Sequence, residues 1–305
     1  MRNSRRHQLV LSLIMVGAIQ VAAQAQDSSP ARGGVVIDEG HNEGHTLTGG
    51  YAEFARSLTD AGFGVGSHNG KVSAQSLVGV AVLVIANPFP EPRQILVRKS
   101  REENRLLRWS SAANQSAFDS TEIRVIRDWV LAGGGLLLVS DHAPHGRTVG
   151  SIARTFGVEM QSVETTDSTH LDPPRTPIPS ILFTRAAGTL GNHVILADVD
   201  SVVTYGGGSF LPPEGSAVLL RIPSGRVVRS FDEAAQAFTV QPATGHAQAV
   251  ALMAGRGRVV LLGEAAMLTT DPQNDLPQLG EGIANTRIGN RRFGVNVVQW
   301  LAHKN

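Results

Sequence analysis

Eight side chains able to ligate a metal ion or move a proton fall in three short stretches of this 305-residue chain: Asp38, Glu39, His41 and His45; Asp141, His142 and His145; and Glu264. Imidazoles and carboxylates are the ligands that zinc and manganese take, and such an ion activates a bound water for attack on an ester, amide or glycosidic carbon. His41, His45, Asp141 and His142 are therefore the candidate metal ligands. Asp141, His142 and Glu264 are the candidate catalytic groups, because two carboxylates and a histidine can do general acid and base work once their pKa values are driven apart. Asp38, Glu39 and His145 are candidate ligand contacts. The His41/His45 and His142/His145 spacings suit loops and lack the HExxH helix signature. Each residue also has an ordinary use: Asp and His after a strand cap the next helix or bind loop N–H groups, and Glu264 can cap a segment beginning at Ala265.

These groups meet only if the chain carries them to one edge. In an open parallel α/β sheet, ligands bind outside the carboxyl ends of the strands. Each of the three stretches follows an apolar, β-branched or leucine-rich run: residues 35–38 (VVID), 136–140 (LLLVS) and 258–262 (RVVLL). Apolar positions Tyr51, Phe54, Ala55 and Leu58 predict a helix over residues 48–61, stopped by Gly62, and strands follow at 63–67 and 81–86. Asp119 or Ser120 caps a helix with Glu122 in its first turn and Ile123, Ile126, Val130 and Leu131 on its apolar face. Helices are also predicted at 101–109, within a long irregular stretch, and at 148–156.

Further strands are expected at 202–205, 217–222, 237–240 and 247–253, with a hairpin turn at Gly255-Arg256-Gly257 and a closing helix marked by Val295, Val298 and Leu301. The class is thus α/β: a largely parallel, flavodoxin-like sheet flanked by helices, with a β-rich C-terminal half. The glycines at 133–135 read as a helix-to-strand turn, since neither phosphate-loop spacing is present. The glycine run 206–208 reads as a sheet-edge turn, His193 as a turn residue, and His170 lies in a proline-rich loop.

Arg2, Arg5 and Arg6 precede an uncharged apolar run, 9–19, that ends in small residues and Ala23-Gln24-Ala25. That is the layout of a cleavable signal peptide over residues 1–25, and the run is shorter than the roughly 20 residues a membrane span needs. The expected product is periplasmic or secreted, by the Sec route; the arginine pair resembles a twin-arginine signal, although Gln8 and Val10 depart from it. Residues 26–305 are expected to form a single domain. The formal charge of +1 includes the three signal arginines, so the mature chain stands at −2 and nucleic acid is not an expected partner. No cysteine occurs, which excludes disulfides, thiolate metal sites and a thiol nucleophile together.

Val36-Ile37-Asp38-Glu39-Gly40-His41, Asp128-Trp129-Val130 before the GGGLLLV run at 133–139, Asp141-His142, Gly257-Arg258-Val259-Val260, Gly263-Glu264-Ala265-Ala266-Met267, and Asn296 with Trp300 and Leu301 carry a family resemblance. Together they resemble uncharacterised exported bacterial proteins of the class I glutamine amidotransferase-like superfamily over residues 34–303. The resemblance implies a nucleophile turn after a central strand; here that turn carries Asp141 and His142 in place of the family's cysteine. Thiol-based glutamine hydrolysis is therefore excluded. Related domains of gliding-motility and intraflagellar-transport proteins resemble noncatalytic interaction modules. Two functions follow as expectations: a hydrolase acting on a small molecule or carbohydrate with a zinc or manganese ion, or a noncatalytic cell-envelope domain that binds a carbohydrate, other small ligand or protein partner.

Overall fold

The computed structural model describes residues 33–168, 180–270 and 282–303. The expected signal peptide, residues 1–25, and His170 lie outside the described residues. In chain order the strands are β1 (Gly34–Asp38), β2 (Val65–His68), β3 (Val80–Ala86), β4 (Gly135–Val139), β5 (Val163–Asp167) and β6 (Ile181–Thr184). They continue with β7 (Ser201–Thr204), β8 (Ala217–Arg221), β9 (Arg226–Asp232), β10 (Ala237–Pro242), β11 (Ala247–Ala254) and β12 (Gly257–Leu262). The helices are α1 (Ala52–Asp60), α2 (Arg93–Glu102), α3 (Ser120–Leu131), α4 (His145–Arg154) and α5 (Asn290–Leu301).

The central sheet has seven strands in the order β2-β1-β3-β4-β12-β11-β8. Its first five are parallel, and β11 and β8 add an antiparallel edge. Successive strand residues point to opposite faces, so the apolar runs feed two cores at once. Val35, Ile37, Val82, Val84, Leu137, Val139, Val260 and Leu262 pack with Phe54 and Leu58 of α1 and Phe293 and Val297 of α5. Val36, Leu83, Ile85, Leu136, Leu138, Val259 and Leu261 pack on the other side with Ile126 and Val130 of α3 and Val149 and Ile152 of α4. The hairpin at Gly255-Arg256 joins β11 to β12 as expected.

Three helices differ in extent from the sequence reading. α1 begins at Ala52, because residues 46–51 form turns in which Gly49 N and Tyr51 N both donate to Thr46 O. α2 starts after Pro92 at its N-cap and ends before Asn104, which adopts φ +54°, so only a 3₁₀ turn remains at Leu107–Trp109. α4 starts at His145, three residues early. β5 and β9, unassigned from sequence, pair with β10 in a small antiparallel sheet, while β6 and β7 form another. Their polar look has a cause: Glu164 of β5 and Arg229 of β9 stand opposite each other in register and form an ion pair with Arg229 buried.

Candidate functional site

β3, β4 and β12 end in register, with Ala86, Val139 and Leu262 side by side, so the residues that follow them share one rim with the end of β1. At β1, Asp38 is fully buried and its Oδ2 lies 2.7 Å from His41 Nδ1. The other ring nitrogen, Nε2, lies 2.9 Å from Glu122 Oε1. Glu122 is held by its own helix: Asp119 accepts from Thr121 N and Glu122 N, and Asp119 N donates back to Glu122 Oε2, a complete capping box. Glu122 Oε1 also accepts from Val72 N at 2.9 Å.

A ring with a carboxylate on each nitrogen donates at both only as an imidazolium. Burial opposes that charge, but the hydrogen bond and charge of Asp38, together with Glu122, outweigh it and raise the His41 pKa. Beside them Glu43, its side chain enclosed, accepts from His41 N at 2.9 Å. Burial, then the Asp38 carboxylate next to it, push Glu43 up to about 10.

A second cluster forms where β3, β4 and β12 end. Asn87, in the left-handed region at φ +54°, accepts from Asp141 N at 2.8 Å and places its amide 3.3 Å from His45 Nε2. His45 stacks on Tyr51, ring centroids 5.0 Å apart. Glu264 is buried and caps the 3₁₀ turn Ala266–Leu268, taking Ala266 N at 2.6 Å and Met267 N at 2.8 Å. Burial and the charge of Asp141 nevertheless drive the Glu264 pKa well above the carboxylate range. The Tyr51 hydroxyl, buried without a hydrogen-bond partner, is likewise pushed well up by burial and then by Glu264 and Asp141.

The remaining expected residues face local partners. His142 Nδ1 donates to Ala143 O at 2.8 Å, and its backbone N–H donates to Asp141 Oδ1 at 2.6 Å. His145 is buried against Phe89, and burial, then His142, hold its pKa well below the usual histidine value. Glu39 Oε1 accepts from Leu47 N at 2.7 Å. His193 caps a 3₁₀ turn through Ile195 N, and Asn296 anchors α5 by donating to Ile195 O and Ala197 O.

The eight expected residues thus divide between two clusters and several local contacts. No three of His41, His45, Asp141 and His142 share one coordination-sized group. Among the described residues, the group whose ligand atoms all lie within 4.8 Å is Asp38, His41 and Glu43. Glu43 and Glu122 were not singled out from sequence as site residues: Glu43 carries no motif, and Glu122 reads as a capping residue, which it also is. Asn87 only follows the strand expected at 81–86, and Tyr51 reads as an apolar helix position.

No family model and no curated protein matches the sequence. Solved structures do. The mmIFT52 N-terminal domain matches with a TM-score of 0.55 at 14% identity, over 88% of this chain and 97% of that one. A cytoplasmic protein from Salmonella typhimurium LT2 matches at 0.51 and 15% identity, over 88% and 98%. A ThuA-like protein from Bacteroides uniformis ATCC 8492 is a more distant neighbour, at 0.45 and 11% identity over 89% and 92%. The likeness is one of fold alone.

Over the rim lies the loop after β7. Gly206 and Gly207 sit at φ +86° and +82°, and Gly208 N donates to Gly263 O at 2.6 Å. A Cβ on Gly207 would stand 2.4 Å from Gly263 O and 2.7 Å from Glu264 Cγ, so the close approach of this loop to β12 requires glycine. The run read as a sheet-edge turn is therefore a cover on the strand ends. Beside Asp141 lies a recess too narrow to hold a water, lined by Gln161, Gly208 and Ser209. Cavities of about 240, 80 and 400 Å³ share Gln161 with it as a wall.

Proposed function

We propose that this chain is an exported, amidotransferase-like domain that binds a carbohydrate through the groove walled by Gln161, without transforming it. The groove carries the reading. Its walls offer amides, a hydroxyl and an imidazole, from Asn114, Gln161, Gln241, Ser230 and His246, with Trp109 and Phe231 at one section. A concave surface with apolar rings and a few fixed donors and acceptors suits a hydroxyl-rich ring. The cations there are matched: Arg154 lies 3.3 Å from Glu159 and Arg147 lies 3.9 Å from Glu233, which favours a neutral ligand over an anionic one. Burial lowers the His246 pKa, keeping its ring neutral as an acceptor or donor.

Against catalysis stands the engagement of the acid–base groups. Both Glu264 oxygens accept main-chain N–H, both His41 nitrogens face carboxylates, and His142 Nδ1 faces a carbonyl. One observation favours a second reading, hydrolysis at the strand ends: burial and the charge of Asp141 push the Glu264 pKa well up, as a general acid requires. Asp141→Asn distinguishes the two, since it would abolish hydrolysis and leave groove binding intact.

Calorimetric titration with neutral oligosaccharides tests the reading. Arg147 is exposed, so Arg147→Ala should weaken binding about tenfold while leaving thermal stability unchanged. Absence of binding to any such ligand, or equal binding by the variant, refutes the assignment. Export rests on the arginine, apolar and small-residue sequence of the first 25 residues. Mass spectrometry of the protein made in a Gram-negative host should find a periplasmic chain beginning at Gln26; an uncleaved cytoplasmic product would contradict it.

A further inference from the structure

We propose that Asp38, His41 and Glu43 bind one divalent transition-metal ion of the zinc or manganese type, with Glu122 as the outer carboxylate on His41. This is separate from the groove and does not depend on it. His41 Nδ1 lies 2.7 Å from Asp38 Oδ2 and 3.8 Å from Glu43 Oε1. The ligand atoms of all three residues lie within 4.8 Å of one another, so small side-chain shifts let one ion reach the imidazole and both carboxylates at about 2.1 Å.

Glu43 Oε1 supplies an independent pointer. It is buried on a side chain with no exposed surface, has no hydrogen-bond partner, and faces the His41 nitrogen. An orphaned carboxylate oxygen in such a place calls for a cation or a proton. The far side of the ring decides which arrangement is ready-made. His41 Nε2–H donates to Glu122 Oε1 at 2.9 Å, the carboxylate–histidine–metal order that holds a ligating histidine once the ion displaces the proton on Nδ1. Phe118, ring centroid 4.0 Å away, holds the imidazole in place.

One imidazole with two carboxylates selects a transition ion over calcium or magnesium, which prefer oxygen throughout. All three ligands are enclosed, so the ion is structural. It ties the loop after β1 to the start of α3.

The test uses the full chain, purified without chelator and analysed for metals, then stripped with EDTA and titrated with zinc or manganese chloride while its melting is followed. The expected result is about one equivalent of metal and a rise of roughly 5 °C on reloading at saturating ion. Glu43→Gln keeps the side-chain shape and removes the ligand charge; it should weaken metal binding by tenfold or more, while His142→Ala binds as the wild type does. Wild-type protein that neither holds metal nor melts higher with it overturns the proposal, and a proton between Asp38 and Glu43 then takes the ion's place. Glu43→Gln protein that binds as tightly as wild type overturns it as well. The wild-type titration decides even if the variant fails to fold.

Discussion

Replacing Gly207 by alanine separates two costs that the glycine cover makes measurable. Gly207 and Gly188 both lie at positive φ, +82° and +67°, where an alanine is strained by about 1 kcal/mol or somewhat more. They differ in what surrounds them. A Cβ at Gly188 meets nothing within 4 Å, whereas at Gly207 it would overlap Gly263 O at 2.4 Å and Glu264 Cγ at 2.7 Å. Forcing an extra carbon into such a contact costs about 1–3 kcal/mol. Gly207→Ala should therefore be less stable than Gly188→Ala by about 2 kcal/mol, or roughly 4–8 °C in Tm at some 2–4 °C per kcal/mol for a domain of this size. Urea unfolding of both variants at one pH measures the difference. Equal losses in the two would show that the loop does not press on the end of β12, and the description of the rim as covered would fail.

Two further perturbations probe buried groups near the strand ends. His145 is held neutral, with its folded pKa well below the unfolded value near 6.5. Below about pH 6.5 the unfolded chain binds a proton that the fold refuses, so stability falls as pH drops by up to about 1.4 kcal/mol per unit. His145→Gln should lack this component, and parallel acid profiles of variant and wild type would rule it out. Asn87→Ala leaves Asp141 N–H without its acceptor and puts alanine at a left-handed position. It should cost about 2–3 kcal/mol in chemical denaturation, and a loss below 0.5 kcal/mol would remove Asn87 as the link between the rim loops.

The fold was legible where the physics is local. Fully buried parallel strands must be apolar throughout, so VVID, LLLV and VVLL announce themselves, and Asp119 or Ser120 with Glu122 marks the start of α3 to within a residue. β5 and β9 escaped because their inward charges, Glu164 and Arg229, neutralise each other only after pairing across two strands far apart in sequence. The site was legible in part for the same reason. Placement on strand ends exposed Asp38, Asp141 and Glu264, but which groups meet is a tertiary fact. His41 finds Glu122, 81 residues away, rather than Asp141, and Asn87 joins two loops through a backbone N–H that no composition reveals.

The claim on which the functional account rests is that the groove binds a neutral carbohydrate and leaves it unchanged. Saturation-transfer NMR on the purified chain with cell-wall-derived oligosaccharides, followed over hours, reads binding and turnover in one sample. The account predicts transfer to the sugar protons, weakened in Arg147→Ala, with the ligand spectrum constant throughout. Steady appearance of shortened product that stops in Asp141→Asn, or no transfer to any sugar, would contradict it.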